Sequence, residues 1–312
     1  MLFFPYTVDL HLEKVPWLTI GVSLLCLVVY VAQSNSTNTF AEAAEKFCSE
    51  PQPRMFEIGV QQVTGSVGIE PCQEVLWEVY FSERPETKIQ ELLADAPPMA
   101  GLDREQTQAH LFNAIERQFQ QYRAEAPVEL TQQLWFVPST FDPWRMITSS
   151  FAHADWEHVL FNVLFYFAFA ATVEVCVGWA PYIMIVLGAS LFIGYADALM
   201  SLAAGDDVPT LGLSGVVMTM MTLLAFLLPR ARVRCFLWFF VLVRTVPIPV
   251  WLLACWYVAG DVYRVLGEDE GSQVNFVAHV AGAAFGFLIG AIFLQQRKTE
   301  VRLLARAAGV YG

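Results

Sequence analysis

The chain has 312 residues, 56% of them hydrophobic and 15% charged, with a mean hydropathy of +0.47. Soluble domains carry about a quarter charged residues, so this composition excludes an ordinary soluble protein and points to one embedded in a lipid bilayer. A formal net charge of −12 without any basic stripe excludes a nucleic-acid binder.

Crossing a hydrocarbon core about 30 Å thick takes roughly 20 apolar residues as helix. Six stretches approach that, which predicts an all-α, six-span bundle. The first covers 17–33 and follows Lys14; no A-x-A cleavage site comes after it, so an uncleaved anchor is expected. Residues 34–134 then form an inserted acidic domain. Between 34 and 143 there are 17 acidic residues against 7 basic, a net of −10, and no long apolar run. "LDREQTQAHLFNAIERQFQQYRAE" has apolar residues at 3–4 spacing and predicts an amphipathic helix, with shorter helices in "CQEVLWEVYF" and "KIQELLADA". Cys48 and Cys72 are the only cysteines in this domain, and a disulfide between them is the expectation for an oxidising compartment. His110 reads as an exposed helix residue.

The core, 135–294, holds the other five spans: 157–177, 181–203, 212–228, 245–262 and 272–294. Ahead of the fifth, residues 235–243 read as an interfacial connector, with Arg244 snorkelling to the headgroups. A basic tail, 295–312, ends the chain. Lys14, Arg230, Arg232, Arg234, Arg297, Lys298, Arg302 and Arg306 fall on one side of such a bundle, and Asp206, Asp207, Glu268, Asp269 and Glu270 on the other. The positive-inside rule then places both termini in the cytoplasm and the acidic domain outside.

Polar side chains within spans are functional suspects. Ser214 lies between Gly212 and Gly215 in "GLSG" at the outer end of the fourth span; His279 is in the outer half of the sixth. In "FAHADWEHVLFNVLFYF", His158 and Asn162 share one face of the second. Singly these have ordinary structural roles: a helix serine bonds its own backbone, and a helix histidine bonds a neighbour. Together, at matched depth, they offer a hydroxyl nucleophile, a base and oxyanion donors. Gly282 and Gly286 in "HVAGAAFG" form a small-xxx-small pair for close helix packing.

These residues resemble the rhomboid intramembrane serine proteases. "WRMITSSFAHADWEHVLFN" is similar to that family's Trp-Arg motif, here Trp144 and Arg145, followed by two histidines and an asparagine. "GLSG" resembles its nucleophile motif and "AHVAGAAFG" its sixth helix, while Glu174 is similar to a family glutamate at the cytoplasmic end of the second helix. The resemblance implies a serine endopeptidase that cleaves transmembrane proteins near the extracytoplasmic face. Ser214 would be the nucleophile and His279 the base, with His158, Asn162 and the Ser214 backbone as the oxyanion hole. The family's Ser–His dyad uses no catalytic carboxylate, and neither a metal nor an organic cofactor is called for.

Two departures stand out. Met218 occupies a place where some members carry an aromatic that packs on the histidine, and the core does not need the roughly 100-residue insertion. The insertion is expected to recruit substrates or contact a partner protein. A bacterial inner membrane is the expected location, with the insertion periplasmic. The rival reading is a catalytically silent rhomboid-like protein that binds membrane clients. A transporter fits less well, since Asp197 and Arg244 are isolated in the sequence.

Overall fold

A computed structural model of the protein describes residues 2–9, 14–82, 84–205, 207–239, 242–267 and 274–307. They begin with strand β1 (Leu2–Val8) and helix α1 (Trp17–Ser49). The helix does not stop at Gln33. No Gly or Pro interrupts 34–49, so the polar half of "WLTIGVSLLCLVVYVAQSNSTNTFAEAAEKFCS" continues the apolar half.

The chain divides into two units, Met1–Val31 with Gln133–Gly312, and Ala32–Gln132. The smaller unit adds α2 (Arg54–Thr64), α3 (Ile69–Tyr80), α4 (Pro85–Leu92), α5 (Arg104–Glu125) and α6 (Leu130–Leu134). Local chemistry sets the ends. Gly65, at φ 79°, closes α2 in the left-handed region that glycine tolerates. Asp103 and Gln106 form a capping box that opens α5. Phe40, Phe56, Leu76, Ile89, Leu111, Ile115 and Phe119 are buried in its core, and Cys48 is disulfide-bonded to Cys72.

The larger unit continues with α7 (Pro143–Thr148), α8 (Trp156–Val177), α9 (Trp179–Ala204) and α10 (Ser214–Leu227). Strands β2 (Arg232–Phe239) and β3 (Leu242–Pro249) follow, then α11 (Val250–Leu266), α12 (Phe276–Phe293) and α13 (Gln295–Ala307). The helix α1, α8, α9 and α12 are each long and apolar enough to cross a membrane. At 14 residues, α10 is about 21 Å long by its rise per residue and falls short of the hydrocarbon core. It is also buried along nearly its whole length, which makes it the central helix of the unit.

An all-α description is corrected at two places. The described residues of 235–243 are strand rather than connector, because β1, β2 and β3 form an antiparallel sheet in that order. Arg232 and Arg234 are exposed while Val233 and Cys235 are buried, the period-2 alternation of a half-buried strand. Arg244, Pro247 and Pro249 lie in β3, an edge strand where a missing N–H does little harm. The fifth helix therefore starts at Val250 rather than at 245.

Glu174 fixes the start of α1. Its carboxylate, 8% exposed, accepts from the backbone N–H of Leu18 at 3.0 Å and of Thr19 at 2.7 Å, and from Thr19 Oγ1 at 2.8 Å. These are donors that a helix leaves unsatisfied in its first turn, where its dipole also favours an anion. Thr19 Oγ1 further contacts Tyr182 OH, tying α1, α8 and α9 into one buried network.

Candidate active site

Ser214, His279, His158 and Asn162 lie in the first or second turns of three helices. His158 is the third residue of α8, and Asp155 caps it by accepting its backbone N–H at 2.7 Å. Asn162 is one turn further and buried; its Nδ2 donates to His158 O at 2.9 Å. Ser214 opens α10, and His279 is the fourth residue of α12, whose N-cap Asn275 accepts from Ala278 N at 2.9 Å.

Glycines decide how closely these turns approach. A Cβ on Gly282 would overlap the Gly215 carbonyl oxygen and lie 2.8 Å from its carbonyl carbon. A Cβ on Gly215 would lie 3.0 Å from Ala278 O. Backbones therefore touch at the residue after Ser214 and at the residue before His279. Gly286 meets Thr219 and Thr222 in the same way, and Gly290 meets the Phe226 ring. The hydroxyls of those threonines cross the seam, Thr219 Oγ1 donating to Gly282 O at 2.9 Å and Thr222 Oγ1 to Ala283 O at 3.0 Å. Gly212, at φ 122°, stands against the His158 ring, since a Cβ there would be 2.8 Å from both Cε1 and Nε2. His158, Ser214 and His279 are thus brought to one locality.

The His279 ring is held on its other nitrogen. Asp261 of α11, 9% exposed, accepts from Nδ1 at 3.1 Å through Oδ2. Nε2 is buried and finds no hydrogen-bond partner among the described residues, so no bond joins it to Ser214 Oγ. Sequence reasoning passed over Asp261; its signal was a single acid in the apolar run "ACWYVAGDVYRVL". It also took Asp197 as isolated. Asp197 accepts from Asn275 Nδ2 at 2.8 Å and from Thr210 Oγ1 at 3.3 Å, linking the start of α12 to the segment that enters α10.

Around this centre, Trp144 and Arg145 belong to α7, which Asp142 caps by accepting the Trp144 N–H at 2.9 Å. Trp144 is exposed, and Arg145 lies 3.9 Å from Asp142. Met218 is buried in the core of the unit, one turn below Ser214. His153, ahead of α8, is 1% exposed and packs edge-on against His158 at 5.1 Å. Burial, with His158 adding, pushes its imidazole down to about 4. Asp206, Glu268, Asp269 and Glu270 lie outside the described residues.

Comparison with known proteins covers this same unit. The family model "Rhomboid domain" matches residues 140–296. The chain is 29% identical over 153 residues to RHOMBOID-like protein 12, mitochondrial, of Arabidopsis thaliana, covering 45% of this chain and 43% of that one. It is 28% identical over 149 residues to Rhomboid protease GlpG of Yersinia enterocolitica, covering 47% and 46%. To Presenilin-associated rhomboid-like protein, mitochondrial, of Mus musculus it is 22% identical over 148 residues, covering 45% and 36%. The chain spans less than half the length of each of these three relatives. With four helices among the described residues long and apolar enough to cross a bilayer, it is an integral membrane protein. A match over half of the chain, on the helices that carry the site, shows that the protein belongs to the rhomboid family.

Proposed function

We propose that the protein is an intramembrane serine endopeptidase that cleaves transmembrane substrates near the outer membrane face. The observation that supports this is the backbone contact of Gly215 with Gly282 and Ala278, which brings the first turns of α10 and α12, the turns that carry Ser214 and His279, against each other. In this mechanism Ser214 Oγ attacks the scissile carbonyl carbon while its proton passes to His279 Nε2. The same nitrogen then protonates the leaving amine as the C–N bond breaks, and water hydrolyses the acyl-enzyme with His279 again as base.

The oxyanion would meet the unsatisfied backbone N–H groups that open α10, with the helix dipole behind them. Asn162 Nδ2 keeps a second hydrogen beyond the one given to His158 O. Ala154 N approaches His158 Nδ1 at 3.5 Å, and in this reading the ring's proton sits on Nε2, the atom beside Gly212. No step calls on a cofactor.

In this reading α11 and the shorter α10, which its neighbours bury, complete a six-span bundle. The basic segments lie in the cytoplasm of a bacterial cell and Ala32–Gln132 lies outside, where it selects substrates. The test is cleavage of a reconstituted transmembrane substrate by the wild type beside Ser214→Ala and His279→Ala. Cleavage by the wild type alone supports the reading. Retention by both variants refutes the site, and binding without cleavage by all three would favour the client-binding alternative.

A further inference from the structure

Asp261 is a buried carboxylate in an apolar helix, and a buried charge persists only with a partner. Its partner is His279 Nδ1 at 3.1 Å. We propose that Asp261 is a positioning residue for His279: it holds the ring's proton on Nδ1 and leaves Nε2 bare to take the Ser214 proton. The inference rests on the protease reading above. A carboxylate only accepts hydrogen bonds, and a neutral imidazole carries one N–H, so the pairing selects one tautomer. It also places a negative charge beside the imidazolium that forms when Ser214 is deprotonated.

The neighbouring contacts support that alignment. Phe276 packs edge-on against the His279 ring at 6.2 Å, and Arg264, one turn beyond Asp261, lies over the Phe276 face at 5.0 Å. Arg264 is thus engaged by the aromatic ring, and Asp261 faces the imidazole. Because Asp261 and His279 come from adjacent helices, the ring's orientation depends on α11 as well as on α12.

The test compares full-length wild type, Asp261→Asn, Asp261→Glu and Ser214→Ala in liposomes with a transmembrane substrate, alongside 15N spectra of histidine-labelled protein. An amide can donate to Nδ1 and drive the proton to Nε2. For Asp261→Asn, kcat should therefore fall on the order of 10²-fold or more with KM within about twofold. The His279 signal should pass from the Nδ1–H form in the wild type to the Nε2–H form, and Glu should restore most of both. Wild-type kcat and an unchanged tautomer in Asp261→Asn would overturn the proposal. So would an Nε2–H ring in the wild type, which decides the matter even if the Asn variant fails to fold. Equal cleavage by the wild type and Ser214→Ala would defeat the protease reading alone, with the tautomer still reporting on Asp261.

Discussion

Replacing Gly282 with alanine tests whether the α10–α12 seam sets the geometry of the proposed Ser214–His279 pair. The new Cβ would lie 2.8 Å from the Gly215 carbonyl carbon, against an ordinary carbon–carbon contact of about 3.5 Å. Both atoms of closest approach belong to backbone, so no rotamer change relieves the clash, and the helices must part by about 0.7–1 Å. That stretches the 2.9 Å bond from Thr219 Oγ1 to Gly282 O beyond hydrogen-bonding range. Overpacking of this kind costs about 1–3 kcal/mol, and a displacement near 1 Å at a reacting pair costs on the order of 10²-fold in rate. Gly290→Ala is the control. There the Cβ meets Phe226 Cδ1 at 2.6 Å and Leu223 Cδ1 at 3.2 Å, side-chain atoms that can turn aside, three helical turns from His279. Melting in detergent and cleavage in proteoliposomes should separate the two variants. Gly282→Ala should lose most of its activity, and Gly290→Ala should retain it. If Gly282→Ala cleaves within about threefold of wild type, the seam does not set the alignment and the reasoning fails.

Glu174→Gln replaces a carboxylate that accepts three hydrogen bonds with an amide that presents a donor to the same N–H groups; a loss of about 1–3 kcal/mol is expected, and an unchanged melting temperature would contradict it. Removing the Cys48–Cys72 bond, which closes a separation of 24 residues, should destabilise the smaller unit by about 3.5 kcal/mol in the chain-entropy treatment. Hydrogen exchange at Leu111, Ile115 and Phe119 should then accelerate in a double alanine variant, and unaltered protection would argue against it. His153 has a depressed folded value of about 4 against 6.5 unfolded, so the unfolded chain binds the extra proton first. Stability should fall as the pH drops from about 6.5 toward 4, by up to about 3 kcal/mol. A melting curve with the same pH dependence in His153→Asn would rule His153 out as the source.

Family membership and the apolar helices were legible in the sequence, because length and hydropathy are local properties. Ser214, His158, Asn162 and His279 could be grouped because each begins an apolar run. The sheet could not be read the same way. A window suited to helices averages over Arg232-Val233-Arg234-Cys235, and one of the two strand partners of that segment lies some 230 residues away. The length of α10 was overestimated because Gly212 takes a positive φ, so the helix starts only at Ser214. Asp261 and Asp197 had no visible partners, since theirs come from a neighbouring helix and from helix ends that only the fold brings near. The first helix was ended too early, at Gln33, for the opposite reason: a change from apolar to polar composition does not by itself end a helix.

The pairing of β1 with β2 bears on how the protein is made. Strand β1, at Leu2–Val8, leaves the ribosome before any of the apolar helices, while its partner at Arg232–Phe239 emerges only after α10 has been synthesised. For most of translation the N-terminal strand therefore has no hydrogen-bonding edge to join. Its docking can begin only once β2 has been made, with α11 and α12 still to come, and a chaperone that holds β1 would delay that pairing without obstructing insertion of α1, α8 and α9.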